Sequence, residues 1–216
     1  MSQNAPNSDD RGQAFTLEGF IAAIVLLTAV LFALQAVVIT PTTGGAVDRG
    51  VQAQGEQEVK DALLVGQTNG DLSKLVRYYD DDSNEEEAEW YNASDRGGSA
   101  YNNTGFANES AFGEILDTHF VEHGGNSFNV EYIYWVDEIG GERATEDIVR
   151  MGGARGDGAV SASFTVTLYE DQPLTEPGDD GPEETGVALT DAENYPIPNV
   201  ADEPVYNVVE VRVTVW

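Results

Sequence analysis

Cysteine is absent from all 216 residues. No disulfide can staple this chain, and thiol catalysis and Cys-ligated zinc are excluded with it. Lysine is nearly absent too: Lys60 and Lys74 are the only two. The ten basic residues stand against 39 acidic ones, for a formal net charge of −29. A chain this negative lacks the basic surface that holds phosphate backbones, so no nucleic acid is expected as a partner. Also missing are a Ser nucleophile elbow, a phosphate loop and a dinucleotide fingerprint. Nothing reads as an enzyme, and neither a cofactor nor a metal is expected.

What is there is acidic but built to fold. Hydrophobic residues make up 41%, with three Trp, nine Tyr and eight Phe, whereas disordered chains of high charge are poor in aromatics. Abundant Asp and Glu with almost no Lys fits a protein adapted to high salt. At about 1 M salt the Debye length is only ~3 Å, so the self-repulsion of the excess carboxylates is largely screened.

The longest uncharged run occupies residues 19 to 39, 21 residues with one amide, Gln35, and no charge until Asp48. At 1.5 Å per residue this spans roughly 31 Å, the thickness of a bilayer's hydrocarbon core. A membrane-spanning helix over 14–40 is therefore expected. Arg11 in front of the run, with few cations behind it, places the N-terminus in the cytoplasm and the rest outside the cell. A cleaved secretory signal fits poorly, because residues 1–10 carry two aspartates and no basic residue and the apolar core is too long.

Pro41 to Gly45 should break the helix, making 41–50 a linker. Residues 46–66 resume a helical character, with Val51, Val59, Ala62, Leu63 and Val65 apolar. A short helix over 71–79 and another over 111–123, capped by Ser110 and ended by Gly124-Gly125, are expected. The run DDDSNEEEAEW (80–90) reads as a solvated loop, and 92–108 as rich in Asn, Gly and Ser. Twofold alternation then marks four strands, 128–136, 146–151, 160–170 and 205–215. The stretch 171–204, rich in proline and acids, reads as an extended loop. The fold class is α+β: an N-terminal hydrophobic helix, then over 51–216 an acidic external domain of short helices and a roughly four-stranded antiparallel sheet.

Several motifs carry chemistry. Asn92-Ala93-Ser94, Asn102-Asn103-Thr104 and Asn108-Glu109-Ser110 are three N-x-Ser/Thr acceptors within nineteen residues. Clustered on the external side, Asn92, Asn102 and Asn108 are candidate glycosylation sites, against the plain alternative of a polar loop. His119 and His123 are four apart and would share a helix face, but no third ligand accompanies them, so two ordinary histidines are the better reading. Asp80, Asp82 and Asn84 imitate the start of an EF-hand loop, yet Glu85 stands where the glycine should be and Tyr91 where the last acid should be. Arg155-Gly156-Asp157 arises readily by chance in a chain with 23 glycines.

The segment Gly12-Gln13-Ala14-Phe15-Thr16-Leu17-Glu18, opening the apolar run, resembles the processing site of type IV pilins and pseudopilins. The acidity and the missing cysteines resemble such proteins of haloarchaea. The resemblance covers residues 9 to 40 at the level of motif and the remainder only as an architecture of one helix followed by a sheet. It implies a cytoplasmic leader, 1–13, removed by a prepilin-type peptidase. Cleavage after Gln13 leaves Ala14 first and Glu18 fifth, the family's usual place for the acid. Cleavage after Gly12 follows the family's preference for a small residue and leaves Glu18 sixth. It further implies that Phe15, Leu17 and Glu18 serve assembly, Glu18 pairing with the freed amine of a neighbouring subunit. An unpaired carboxylate entering a bilayer costs on the order of a few kcal/mol at the centre and less near the interface. The plain alternative is a hydrated glutamate at headgroup level beside Arg11. The expected function is thus a glycosylated pilin-like subunit of the archaeal cell surface, with membrane lipid, the peptidase and other pilin-like subunits as partners. The alternative is a single-pass membrane-anchored extracellular binding domain that does not polymerise.

Overall fold

The structure, a computed structural model, describes residues 8–35, 49–81, 89–93, 100–153, 158–179 and 181–216, with the side chains of the first helix described over 17–30. The chain divides into two compact units, Met1–Gly45 and Ala46–Trp216. The expected break at Pro41–Gly45 lies outside the described residues.

Among the described residues the first unit holds one helix, α1 (Ser8–Gln35), which starts six residues before the expected Ala14. A sequence dominated by Ala, Leu, Ile and Val from residue 21 onward, with no interior proline, sustains it. Thr28, the lone hydroxyl in 17–30, turns inward and donates to Ile24 O at 2.7 Å and Val25 O at 3.0 Å. Among the described residues no helix is long and apolar enough to cross a membrane. The described side chains of α1 cover fourteen residues, roughly 21 Å of rise.

The second unit is α+β. Its main sheet is antiparallel, with β3 (Phe128–Trp135), β4 (Arg143–Val149), β5 (Val160–Tyr169) and β8 (Val205–Val215) ordered β4-β3-β8-β5. Strands β3, β5 and β8 fall within a residue of where alternation predicts them, because one face is apolar throughout. Strand β4 instead starts at Arg143, three residues before the expected 146, and ends at Val149 instead of 151. Rows of aligned residues cross the sheet: Phe128, Val215 and Val160; Val130, Val213 and Ala162; Tyr132, Val211 and Phe164. This face packs on α2 (Arg49–Thr68), α3 (Asp71–Val76), α4 (Asn103–Glu109) and α5 (Ala111–Leu116).

In α2 the buried stripe is Val59, Ala62 and Leu63, the i, i+3, i+4 spacing of one helix face. Val51 and Val65, also expected among its apolar positions, are exposed. Ser110 caps α5 as expected, accepting from Gly113 N at 3.0 Å. The helix expected over 111–123 changes character after Leu116 and continues as a π-helical segment, Asp117–Glu122.

Two expectations are corrected. The stretch 171–204 is not a plain loop: it holds a hairpin of β6 (Pro173–Gly178) and β7 (Gly181–Ala188), followed by a 3-10 turn at Leu189–Asp191. Proline cannot donate to a ladder and is confined to ribbons and edges, so Pro173, Pro177 and Pro182 conceal strand character in a two-stranded ribbon, where Pro177 stands opposite Pro182. The Asn-rich region is likewise partly helical. Asn102 Oδ1 accepts from Gly105 N at 2.7 Å and starts α4, which Phe106 anchors in the core. The acidic run is bracketed by a short pair, β1 (Tyr79–Asp80) and β2 (Glu89–Trp90). Residues 82–88, and with them most of the EF-hand-like spacing, lie outside the described residues, as do Arg155, Gly156 and Asp157.

Candidate functional site

Two regions gather the candidate residues, one in each unit. On α1, Leu17, Phe20, Ile21, Ile24, Val25 and Leu26 are all exposed, as are Leu27 and Val30. At 100° per residue, Leu26 points directly away from Leu17 and the others fill the angles between. Such a helix has no polar side to turn to water. Glu18 is the only charge in 17–30 and is exposed. Gly12, Gln13, Ala14 and Phe15 lie on the helical backbone, but their side chains are outside the described residues.

The second region is a polar cavity of about 200 Å3 in the second unit, lined by Tyr78, Asn92, Asn108, Glu109 and the tip of the β6–β7 hairpin. It brings together two of the three sequon asparagines. Asn92 Nδ2 donates to Glu109 Oε2 at 3.0 Å, and Tyr78 Oη donates to the same oxygen at 2.7 Å. Burial raises the Tyr78 hydroxyl far above its ordinary value, and its bond to the Glu109 carboxylate raises it further, so the phenol stays a donor. Asn92 holds φ +59, a left-handed conformation that Asn tolerates.

The three sequons differ in accessibility. Asn92 and Asn108 are exposed, whereas Asn102 is half-buried and its oxygen caps α4. In the Asn108 sequon the hydroxyl of Ser110 is buried and engaged with Gly113 N. Ser94, the hydroxyl residue of the Asn92 sequon, lies outside the described residues. Glu109 and Tyr78 escaped the sequence reading. Glu109 occupies the middle position of a sequon, which the motif ignores, and Tyr78 reaches it across 31 residues.

The histidines border a shallow hollow with Glu114, Ile115 and Thr118. His119 Nε2 is 3.6 Å from Glu58 Oε2, and His123 Nδ1 lies 2.6 Å from Thr118 O. Among the described residues no group of three His, Asp or Glu side chains is placed to hold a metal.

The cavity depends on how its hairpin is held. Arg77 is 3% exposed, donates through Nε to Ser73 O at 3.1 Å and through Nη1 to Pro173 O, and faces Glu184 at 3.6 Å. Burial lowers its pKa, with Glu184 working in the opposite direction. Thr175 completes the dock, its N–H donating to Arg77 O at 2.9 Å and its hydroxyl to Lys74 O at 2.7 Å.

The chain belongs to a family of unknown function, DUF7288, whose model matches residues 11–215 and so takes in most of α1 and nearly all of the second unit. No curated protein and no solved structure matches it.

Proposed function

We propose that this protein is a type IV pilin-like surface subunit. It is inserted in the membrane through α1 with its N-terminus cytoplasmic and its C-terminal unit outside, is trimmed by a prepilin-type peptidase, and assembles into a filament or pseudopilus. The observation that carries this reading is the described surface of α1, apolar around its whole circumference and bearing a single carboxylate. Such a surface is stable only when lipid or other helices cover it. A sequence of AFTLEGF at its mouth supports the same order of events, lipid first and neighbouring copies of the helix afterwards. In the assembled state Glu18 meets the freed amine of an adjacent subunit, which neutralises it in a low-dielectric setting. Glycans go on the exposed Asn92 or Asn108 in preference to the half-buried Asn102.

The test combines mass spectrometry of the N-terminal peptide from membranes with comparison of Glu18→Gln and wild type after shearing. Wild type should lose twelve or thirteen residues and appear in the sheared fraction. Glu18→Gln should still insert and be cut, because a neutral amide is cheaper to bury than a carboxylate, but should largely vanish from the sheared fraction. A wild type that keeps Met1 or Ser2 and never leaves the membrane would overturn the reading in favour of an anchored domain that does not polymerise.

A further inference from the structure

The two edges of the main sheet differ in kind. Edge β4 is guarded: its seven residues include Arg143, Glu146 and Asp147, and its far end is closed by a parallel bridge from Tyr101 to Val149. Edge β5 is not. Its ten residues, VSASFTVTLY, hold no charge and no proline. Its irregularity lies at the very end, between Leu168 and Tyr169. Charged side chains, prolines, bulges and covering segments are the devices that keep an edge from pairing. Among the described residues, β5 has β8 on one side and no strand on the other.

On the core face α2 lies along β5, with Gly55 against Val160, yet not all of the strand's apolar side chains are fully covered. Val160, Ala162 and Phe164 pack on the core cluster yet remain only half-buried. On the other face Ser161, Ser163 and Thr165 are exposed. In a chain of net charge −29, this strand is a place where two copies can touch without setting carboxylate against carboxylate.

We propose that β5 is a homotypic interface, pairing antiparallel with β5 of a second copy of this chain to give a continuous eight-stranded sheet. A two-fold contact between identical strands is self-complementary. The half-buried Val, Ala and Phe complete one another's cover on the core side, and the hydroxyl row meets a hydroxyl row, a favourable cross-strand pairing. The guarded β4 edge disfavours the open-ended alternative, β4 against β5. Ten residues at about 3.3 Å each offer roughly 33 Å of ladder. The pairing depends on the external unit alone and stands or falls apart from the proposed filament.

The absence of native cysteine makes this testable in the full chain. Single cysteines are introduced at exposed or half-exposed positions of one face, Ser161→Cys, Ser163→Cys, Thr165→Cys and Thr167→Cys, with Thr145→Cys on β4 as reference. Each variant is held in detergent at ~2 M salt, where the Debye length is below about 3 Å, oxidised with copper-phenanthroline and run on a non-reducing gel. Because antiparallel strands bring only one register position close to its own copy, the yield should peak at one or two neighbouring β5 positions, at least tenfold above Thr145→Cys, and fall away on both sides. A flat profile, as random collision or association through α1 alone would give, overturns the proposal. So does cross-linking found only when Thr145→Cys is mixed with a β5 variant, which would report β4-to-β5 chaining.

Discussion

Glu146 and Glu210 sit on the same sheet and are perturbed in opposite directions. Burial, aided by Asp147, raises the Glu146 carboxyl. Glu210 is half-buried, which alone would raise it, but hydrogen bonds from Arg143 and Arg212 bring it below its ordinary value. Arg143 lies 2.7 Å and Arg212 2.8 Å from it. The linkage signs follow. Glu210 contributes stability above its unfolded pKa and loses it as pH falls through the lower folded value. Glu146, with its folded value raised, favours the native state only at low pH, and that benefit is lost as pH rises through the folded value. At neutral pH its carboxylate therefore opposes folding. Glu146→Gln should raise the melting temperature at pH 7, by a gain below about 1 kcal/mol given solvent screening, and the gain should disappear near pH 4. Thermal melts at the two pH values check this; equal shifts at both would refute the burial argument.

At the scale of elements, the β6–β7 hairpin is attached to the helical layer through a small set of contacts. Arg77 and Thr175 make most of them, joined by the bridge between Tyr78 and Thr175. A buried guanidinium that satisfies two carbonyls is costly to replace, because those acceptors then lose their donor. Arg77→Met keeps the aliphatic bulk and removes the donors. It should destabilise the hairpin by about 2 kcal/mol, so that amide exchange at Thr175 speeds roughly 30-fold. Exchange in β3 and β8, which are held by their own ladder and core, should scarcely change. The sequon cavity, roofed by the hairpin tip, would open with it.

For the whole molecule, the acidic excess sets the working conditions. With 39 acidic side chains against ten basic ones, lowering salt from ~1 M to ~0.01 M lengthens the Debye length from about 3 Å to about 30 Å. Repulsion then acts across the entire second unit. Circular dichroism of residues 46–216, which contain the whole described core from Val59 to Val215, should record a melting temperature that falls steadily during dialysis. A flat melting temperature would remove the case for adaptation to high salt. The same screening governs the β5 contact, since two copies of net charge −29 approach closely only when the long-range field is damped.

Periodicity in the sequence placed β3, β5 and β8, and with them the antiparallel α+β class, because twofold alternation of Val, Tyr and Phe survives whatever surrounds it. The more polar β4, RATEDIV, was offset from its expected bounds. Val205–Val215 begins and ends where alternation places it. The Ser110 cap was legible too, since it needs only its own neighbours to start a helix, whereas the Asn102 cap was not. The apolar run and its glutamate were plain from composition, and the lack of cysteine closed off whole classes of chemistry. Tertiary structure decided the rest. The β6–β7 hairpin was hidden because proline reads as a breaker locally, while a ribbon docked by Arg77 tolerates it. The conversion of 117–122 to π-helical form left no pattern of residue types. Asn92 and Asn108 line one cavity only because α4 brings Glu109 back beside Tyr78, a contact spanning 31 residues. Which edge of the sheet is guarded and which is open depends on strand order, β4-β3-β8-β5, and order is fixed by packing over long separations that no local pattern encodes.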